Sequence, residues 1–120
     1  MAQTSVSRRT DRSAAVFDFL SVLARRCLGC RVGSRGIVSV YQSAVGVFTV
    51  VHQRRDAVDG EVIEHRIAQL RESEGRYQLF WKKCNGRWTA YSTDGSTDFA
   101  GSIADCFSEV SRDRLGCFWP

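Results

Sequence analysis

The stretch Gln78-Leu79-Phe80-Trp81-Lys82-Lys83-Cys84-Asn85-Gly86-Arg87-Trp88-Thr89-Ala90-Tyr91 decides how this chain is read. Two alternating, aromatic-rich runs flank Asn85-Gly86, a dipeptide that tolerates the positive φ angles of a type I′ turn. The spacing predicts a β-hairpin with strands at 76–83 and 87–92. Alternation places Tyr77, Leu79 and Trp81 on one face and Gln78, Phe80 and Lys82 on the other. On the return strand, Trp88, Ala90 and Ser92 oppose Arg87, Thr89 and Tyr91. The face of Trp81 has the greater apolar content and is expected to be core.

Upstream of the hairpin, residues 62–71 admit two readings. Ile63, Ile67 and Leu70 sit at helical spacing, and period-two alternation over the same run is imperfect. The short turn expected at 72–75 and the position between two hairpins favour a strand pairing with 76–83. Further upstream, the β-branched runs Ile37-Val38-Ser39-Val40-Tyr41 and Val47-Phe48-Thr49-Val50-Val51-His52 predict a first hairpin about the turn 43–46. Before them, Val16, Phe19, Leu20, Leu23 and Cys27 recur at three- and four-residue steps, with Phe17 and Val22 widening the stripe. An amphipathic helix over about 13–28 is predicted, ended by Gly29 and Gly33. Downstream, Ser92–Asp98 reads as a loop. A helix opening at Asp98 or Ser102 carries Ile103, Cys106, Phe107 and Val110 on one face and ends near Arg112. Gly116 suits a turn that folds Phe118 and Trp119 back onto the body. The fold class expected is α+β: a helix, a meander of about five antiparallel strands, and a helix, with both helices on one sheet face.

At 120 residues the chain has the length of one domain, divided here into a polar tail, 1–12, and a folded body, 13–120. No apolar run approaches the roughly 20 residues that span a bilayer, and no export signal precedes the first helix, so a cytoplasmic, membrane-free protein is expected. The formal charge of +4 is split. Arg8, Arg9 and Arg12 against Asp11 place half of it in the tail, so the body carries little charge excess for gripping phosphates. Five cysteines without an export signal point to reduced thiols.

Cys27-x-x-Cys30 has the spacing of a zinc half-site or a redox pair, and these two are the candidate metal ligands. Zinc needs two further ligands, and Cys84, Cys106 and Cys117 form no second close pair. A redox pair usually opens a helix, whereas this one closes it. His52 and His65, with Glu64 or Asp113, could form an acid–base pair, yet no spacing forces them together and no phosphate loop or nucleophile elbow is present. No cofactor is expected.

The run Glu64-His65-Arg66-Ile67-Ala68-Gln69-Leu70-Arg71, then Leu79-Phe80-Trp81, Asn85-Gly86-Arg87-Trp88, Tyr91 and the ending Asp113, Gly116, Cys117, Phe118, Trp119 resemble a family of small bacterial proteins known as domain of unknown function 3024. The resemblance spans about residues 14–119 and is densest after Glu61. Arg66 stands where members often have proline, and Pro120 replaces a usual glycine. The resemblance implies a one-domain cytosolic protein and a strand at 62–71; it carries over no activity, cofactor or catalytic residue.

The function expected is a non-enzymatic binding or protein-interaction module. Its ligand would dock on the uncovered sheet face or in a groove beside Gly116–Trp119. The surplus of Trp, Tyr and Arg, residue types that dominate interaction hot spots, motivates that reading. The candidate surface is Arg54, Arg55, Arg76, Arg87, Tyr91, Phe118 and Trp119. The alternative is a nucleic-acid binder using the Arg-rich tail and sheet aromatics; a third reading is a small zinc- or thiol-dependent enzyme.

Overall fold

In the computed structural model, residues 11–32 and 36–119 are described, with backbone alone for 11–18 and 30–32. A long helix, α1 (Asp11–Val32), leads into strands β1 (Ile37–Ala44), β2 (Val47–Arg55), β3 (Val62–Ser73), β4 (Arg76–Lys82) and β5 (Trp88–Ala90). A two-residue strand, β6 (Ala100–Gly101), and helix α2 (Ile103–Arg112) complete the order. All pairings are antiparallel, in the order β1-β2-β3-β4-β5, and β6 adds to β4 beside β5. The helix–meander–helix expectation holds, and residues 62–71 are strand. The sequence reading missed β6.

Helix α1 runs further at both ends than the expected 13–28, with Gly29 inside it. Leu20, Ala24 and Leu28 face the core, and Leu23 and Cys27 pack at its margin. Phe19 and Val22 are exposed, against expectation. At about 100° per residue, Phe19 lies roughly a quarter-turn outside the Leu20–Ala24–Leu28 line and Val22 points away from it. Val16 and Phe17, also assigned to the stripe, belong to the part whose side chains are undescribed.

Beyond apolar contact, α1 is stitched to the outer edge of β1. The Ser21 hydroxyl accepts the Val40 N–H at 2.9 Å and donates to the Val40 carbonyl at 3.4 Å. Arg25 Nε donates to the Val38 carbonyl at 2.9 Å. Backbone groups taken in this way at Val38 and Val40 blunt that part of the edge as a template for another strand.

Register sorts the sheet into two faces. Val38 and Val40, Phe48 and Val50, Ala68 and Leu70, and Leu79 face the helices. Thr49, Val51, Gln69, Arg71, Phe80 and Lys82 face the open side. Even there Thr49 and Gln69 are buried. Gln69 donates to Thr49, which is hydrogen-bonded to Ser43; Arg71 donates to Gln69 and stacks 4.0 Å from the Phe80 ring centre.

The turns depart from expectation in an instructive way. Gly86 alone has positive φ at the 84–86 turn; its N–H meets the Lys83 carbonyl at 2.8 Å, and the Lys83 N–H meets the Arg87 carbonyl. This is a three-residue loop rather than a type I′ turn. The pair with both residues at positive φ is Glu74-Gly75, joining β3 to β4. Ser102 caps α2 with a reciprocal capping box to Asp105.

Candidate binding cleft

β3 is longer than its partner β4. Pairing between them covers Gln69 to Ser73 only, beginning at Gln69 opposite Phe80. From Val62 to Ala68, the only strand paired with β3 among the described residues is β2, and a bulge at Val50/Val51 leaves Ile67 as an extra residue. Beyond Phe80, β4 turns away toward β5. The sheet therefore forks.

A cleft of about 630 Å³ occupies the fork. One wall is Glu64–Ile67 of β3, another is Trp81–Cys84, and the third is Gly116–Trp119. The volume lies within the usual range of ligand sites.

The third wall exists because the chain end is folded back. Asp113 terminates α2 in the left-handed conformation, with φ 48°. Its carboxylate accepts the Phe118 N–H at 3.0 Å and the Trp119 N–H at 3.2 Å. The Trp119 indole N–H donates to the Val110 carbonyl at 2.9 Å. Gly116 takes the positive φ, 67°, that the reversal needs. Phe118 then inserts beside Tyr91, ring centres 4.9 Å apart.

Tyr91 anchors this wall from below. Its hydroxyl donates to Glu109 Oε2 at 2.7 Å, and Arg114 grips the same carboxylate through Nε at 2.9 Å and Nη2 at 2.8 Å. Glu109 is buried in α2. Hydrogen bonding from Arg114 holds its carboxyl below the usual range, against the opposing effect of burial. Burial first, then the bond to Glu109, pushes the Tyr91 hydroxyl well above its ordinary value.

The candidate surface residues from the sequence are scattered. Tyr91 is fully buried and presents no surface, and Phe118, 4% exposed, is a core residue that reaches only the cleft wall. Trp119 is half-buried and lines the cleft. Arg55 is exposed and donates to the Gly60 carbonyl, Arg54 is half-buried nearby, and Arg76 reaches the Ala100 carbonyl at the far end of β4. Arg87 is exposed at the β4–β5 turn. No common site gathers these four arginines. Cys27 is half-buried against the core, and the side chain of Cys30 lies outside the described residues. Among the described residues, no group of three His, Cys, Asp or Glu side chains is placed to hold a metal ion.

The cleft brings Glu64, His65 and Arg66 together with Trp81, Lys82 and Lys83, a grouping of the two strands that sequence reading did not make. Its cations outnumber its one acid, and the Glu64 carboxylate already accepts from Gln53 at 3.1 Å. Cys117, in the same wall, has its thiol pushed up to about 11 by burial and then by Asp113, so it stays protonated near neutrality. His52 backs the cleft, 6.0 Å from the Trp119 ring and 6.5 Å from His65. It is buried, and its Nε2 has no hydrogen-bond partner among the described residues. Burial chiefly, then the charges of His65 and Arg54, holds its pKa below the ordinary value.

Residues 31–120 match the family described as Domain of unknown function (DUF3024). The chain belongs to this family. The DUF3024 match takes in the whole sheet, the cleft and α2, but starts at the end of α1, later than the 14–119 span of the sequence resemblance. No curated protein and no solved structure matches the chain. No helix among the described residues is long and apolar enough to cross a membrane.

Proposed function

We propose that this domain is a binding module whose ligand occupies the forked cleft, and that its partner is another protein. One observation carries the reading: the fork places two indoles, Trp81 and Trp119, beside three cations, Arg66, Lys82 and Lys83, around about 630 Å³ of open space. Trp and Arg in a concave, partly desolvated site are the side chains that supply most binding free energy at protein interfaces. A protonated Cys117 and a largely neutral His52 suit recognition better than nucleophilic or acid–base work. The cytoplasmic setting expected from the sequence agrees with free thiols in the cleft wall.

A photo-crosslinking amino acid at Lys83, beside the cleft, tests this in cells of the source organism. A discrete adduct is expected there and none from the same group at Val58, which is 94% exposed on the β2–β3 loop. Equal labelling from both sites, or none from Lys83, overturns the proposal. The same three cations also favour a second reading, phosphate binding. A single-stranded oligonucleotide that binds the cleft with a steep salt dependence would establish it in place of the first.

A further inference from the structure

Sheet edges in this protein are managed unequally. The outer edge of β1 is occupied by Ser21 and Arg25. At the opposite side of the sheet, β5 and β6 are three and two residues long. The edge of β3 within the fork is different. It belongs to a long strand, and among the described residues no strand pairs with it from Val62 to Ala68. Unpaired backbone donors and acceptors along such an edge are a template for an added strand.

The two sides of the fork differ in chemistry. Arg66 pairs across from Val51, Glu64 from Gln53 and Lys82 from Trp88, so the open sheet face carries two cations and one carboxylate, the latter already bound by Gln53. Trp81 lies on the opposite face, toward the helices, where Phe118 and Trp119 pack against the core. A strand laid in the fork would alternate its side chains between an apolar side and a cationic side.

We infer that the partner is an extended peptide segment that adds as a strand to the Glu64–Ile67 edge of β3 and alternates apolar with acidic residues. Its apolar residues meet Trp81 and Trp119, and its carboxylates meet Arg66 and Lys82. Four residues of edge correspond to roughly 13 Å of strand, enough for four residues of ligand in register. This inference rests on the proposed binding role of the cleft and specifies its occupant.

The probe is a fluorescein-labelled, end-blocked octapeptide of alternating valine and glutamate, compared with a version N-methylated at every second residue on the pairing edge. The two have the same charge and side chains. Anisotropy should show binding of the parent and at least tenfold weaker binding of the methylated form. Lys82→Glu should weaken the parent by a similar factor. Hydrogen exchange at the amides of residues 64–67 should slow when the parent binds.

Equal affinity for both peptides, with indole signals of Trp81 and Trp119 shifting but no added amide protection, overturns strand addition and leaves the cleft reading intact. Absence of any shift at the cleft overturns the inference, and absence of the Lys83 crosslink as well overturns the cleft reading it rests on. Displacement of the bound peptide by a thymidine octanucleotide, or concentration-dependent dimerisation that protects residues 64–67 without peptide, replaces the acidic strand with nucleic acid or with a second copy of this chain, and so refutes the inference.

Discussion

Replacing Tyr91 by Phe removes one hydroxyl from the buried Tyr91–Glu109–Arg114 network and leaves the ring contacts with Phe118 and Phe99 in place. A hydrogen bond to a charged group contributes about 1.5–3 kcal/mol. Glu109 keeps both bonds from Arg114, so it is not orphaned, and the lower part of that range applies. A loss of about 2 kcal/mol at neutral pH should move the urea midpoint down by roughly 1 M, given a slope of about 2 kcal/mol/M. The penalty should depend on pH. The folded-state pKa of Glu109 is depressed, so its contribution is present above the unfolded-state value near 4.3 and is lost as pH falls through the folded value. Tyr91 supports the ionised form, and the gap between wild type and variant should therefore narrow below about pH 4. Glu109→Gln should flatten the same acid limb. A penalty under about 0.5 kcal/mol at neutral pH, the level of an unremarkable surface change, would refute the reasoning. A penalty unchanged into the acid range would refute it equally.

Other perturbations follow from single positions. Glu74 sits at φ 53° in the β3–β4 turn, where Asn is better tolerated, so Glu74→Asn should stabilise by about 0.5–1 kcal/mol, seen as a raised thermal midpoint. A Cβ on Gly36 would collide with the Gln53 carbonyl and lie 2.8 Å from His52 Nε2. Gly36→Ala should therefore part β1 from β2 at that end and cost about 2 kcal/mol or more, read from denaturation and from faster amide exchange in β1. The pKa of His52 is lowered on folding, so the stability it governs is present above about pH 6.5 and falls as pH drops from there through the folded value. The charges facing it are His65 and Arg54, both repulsive toward its protonated form. His52→Leu should remove that part of the slope; parallel wild-type and variant curves between pH 8 and pH 5 would contradict this.

Elements whose signal is local were legible in the sequence. The β-branched runs and the Gly116 reversal each state their conformation in neighbouring residues, and of the two openings offered for the last helix, Asp98 and Ser102, the structure takes Ser102. The strand at 62–73 was ambiguous from spacing because it carries Ile67 at a bulge, which breaks alternation in mid-strand. Which side of α1 faces inward was blurred for a related reason. Phe19 and Val22 are apolar yet exposed, so composition widened a stripe that packing keeps narrow.

The misplacement of Tyr91 shows how a non-local preference overrides a local one. A two-residue turn at Asn85-Gly86 would set Trp81 opposite Ala90 and send Tyr91 to the open face. The observed register sets Trp81 opposite Thr89, one residue different, and a slip of one residue exchanges the faces of a strand. The three-residue loop gives up the Asn-Gly preference at Asn85, which keeps a negative φ. In exchange the Tyr91 ring is buried, worth about 1.5–3 kcal/mol, and its hydroxyl reaches Glu109. That choice has a consequence for the cleft. Tyr91 under Phe118 seats the C-terminal segment, and the seated segment supplies the third wall of the fork. The cleft thus depends on a register decided by a residue eighteen positions from Glu109. The one sequence-level trace of it is a strand prediction at 62–71 that outruns the partner available to pair with it.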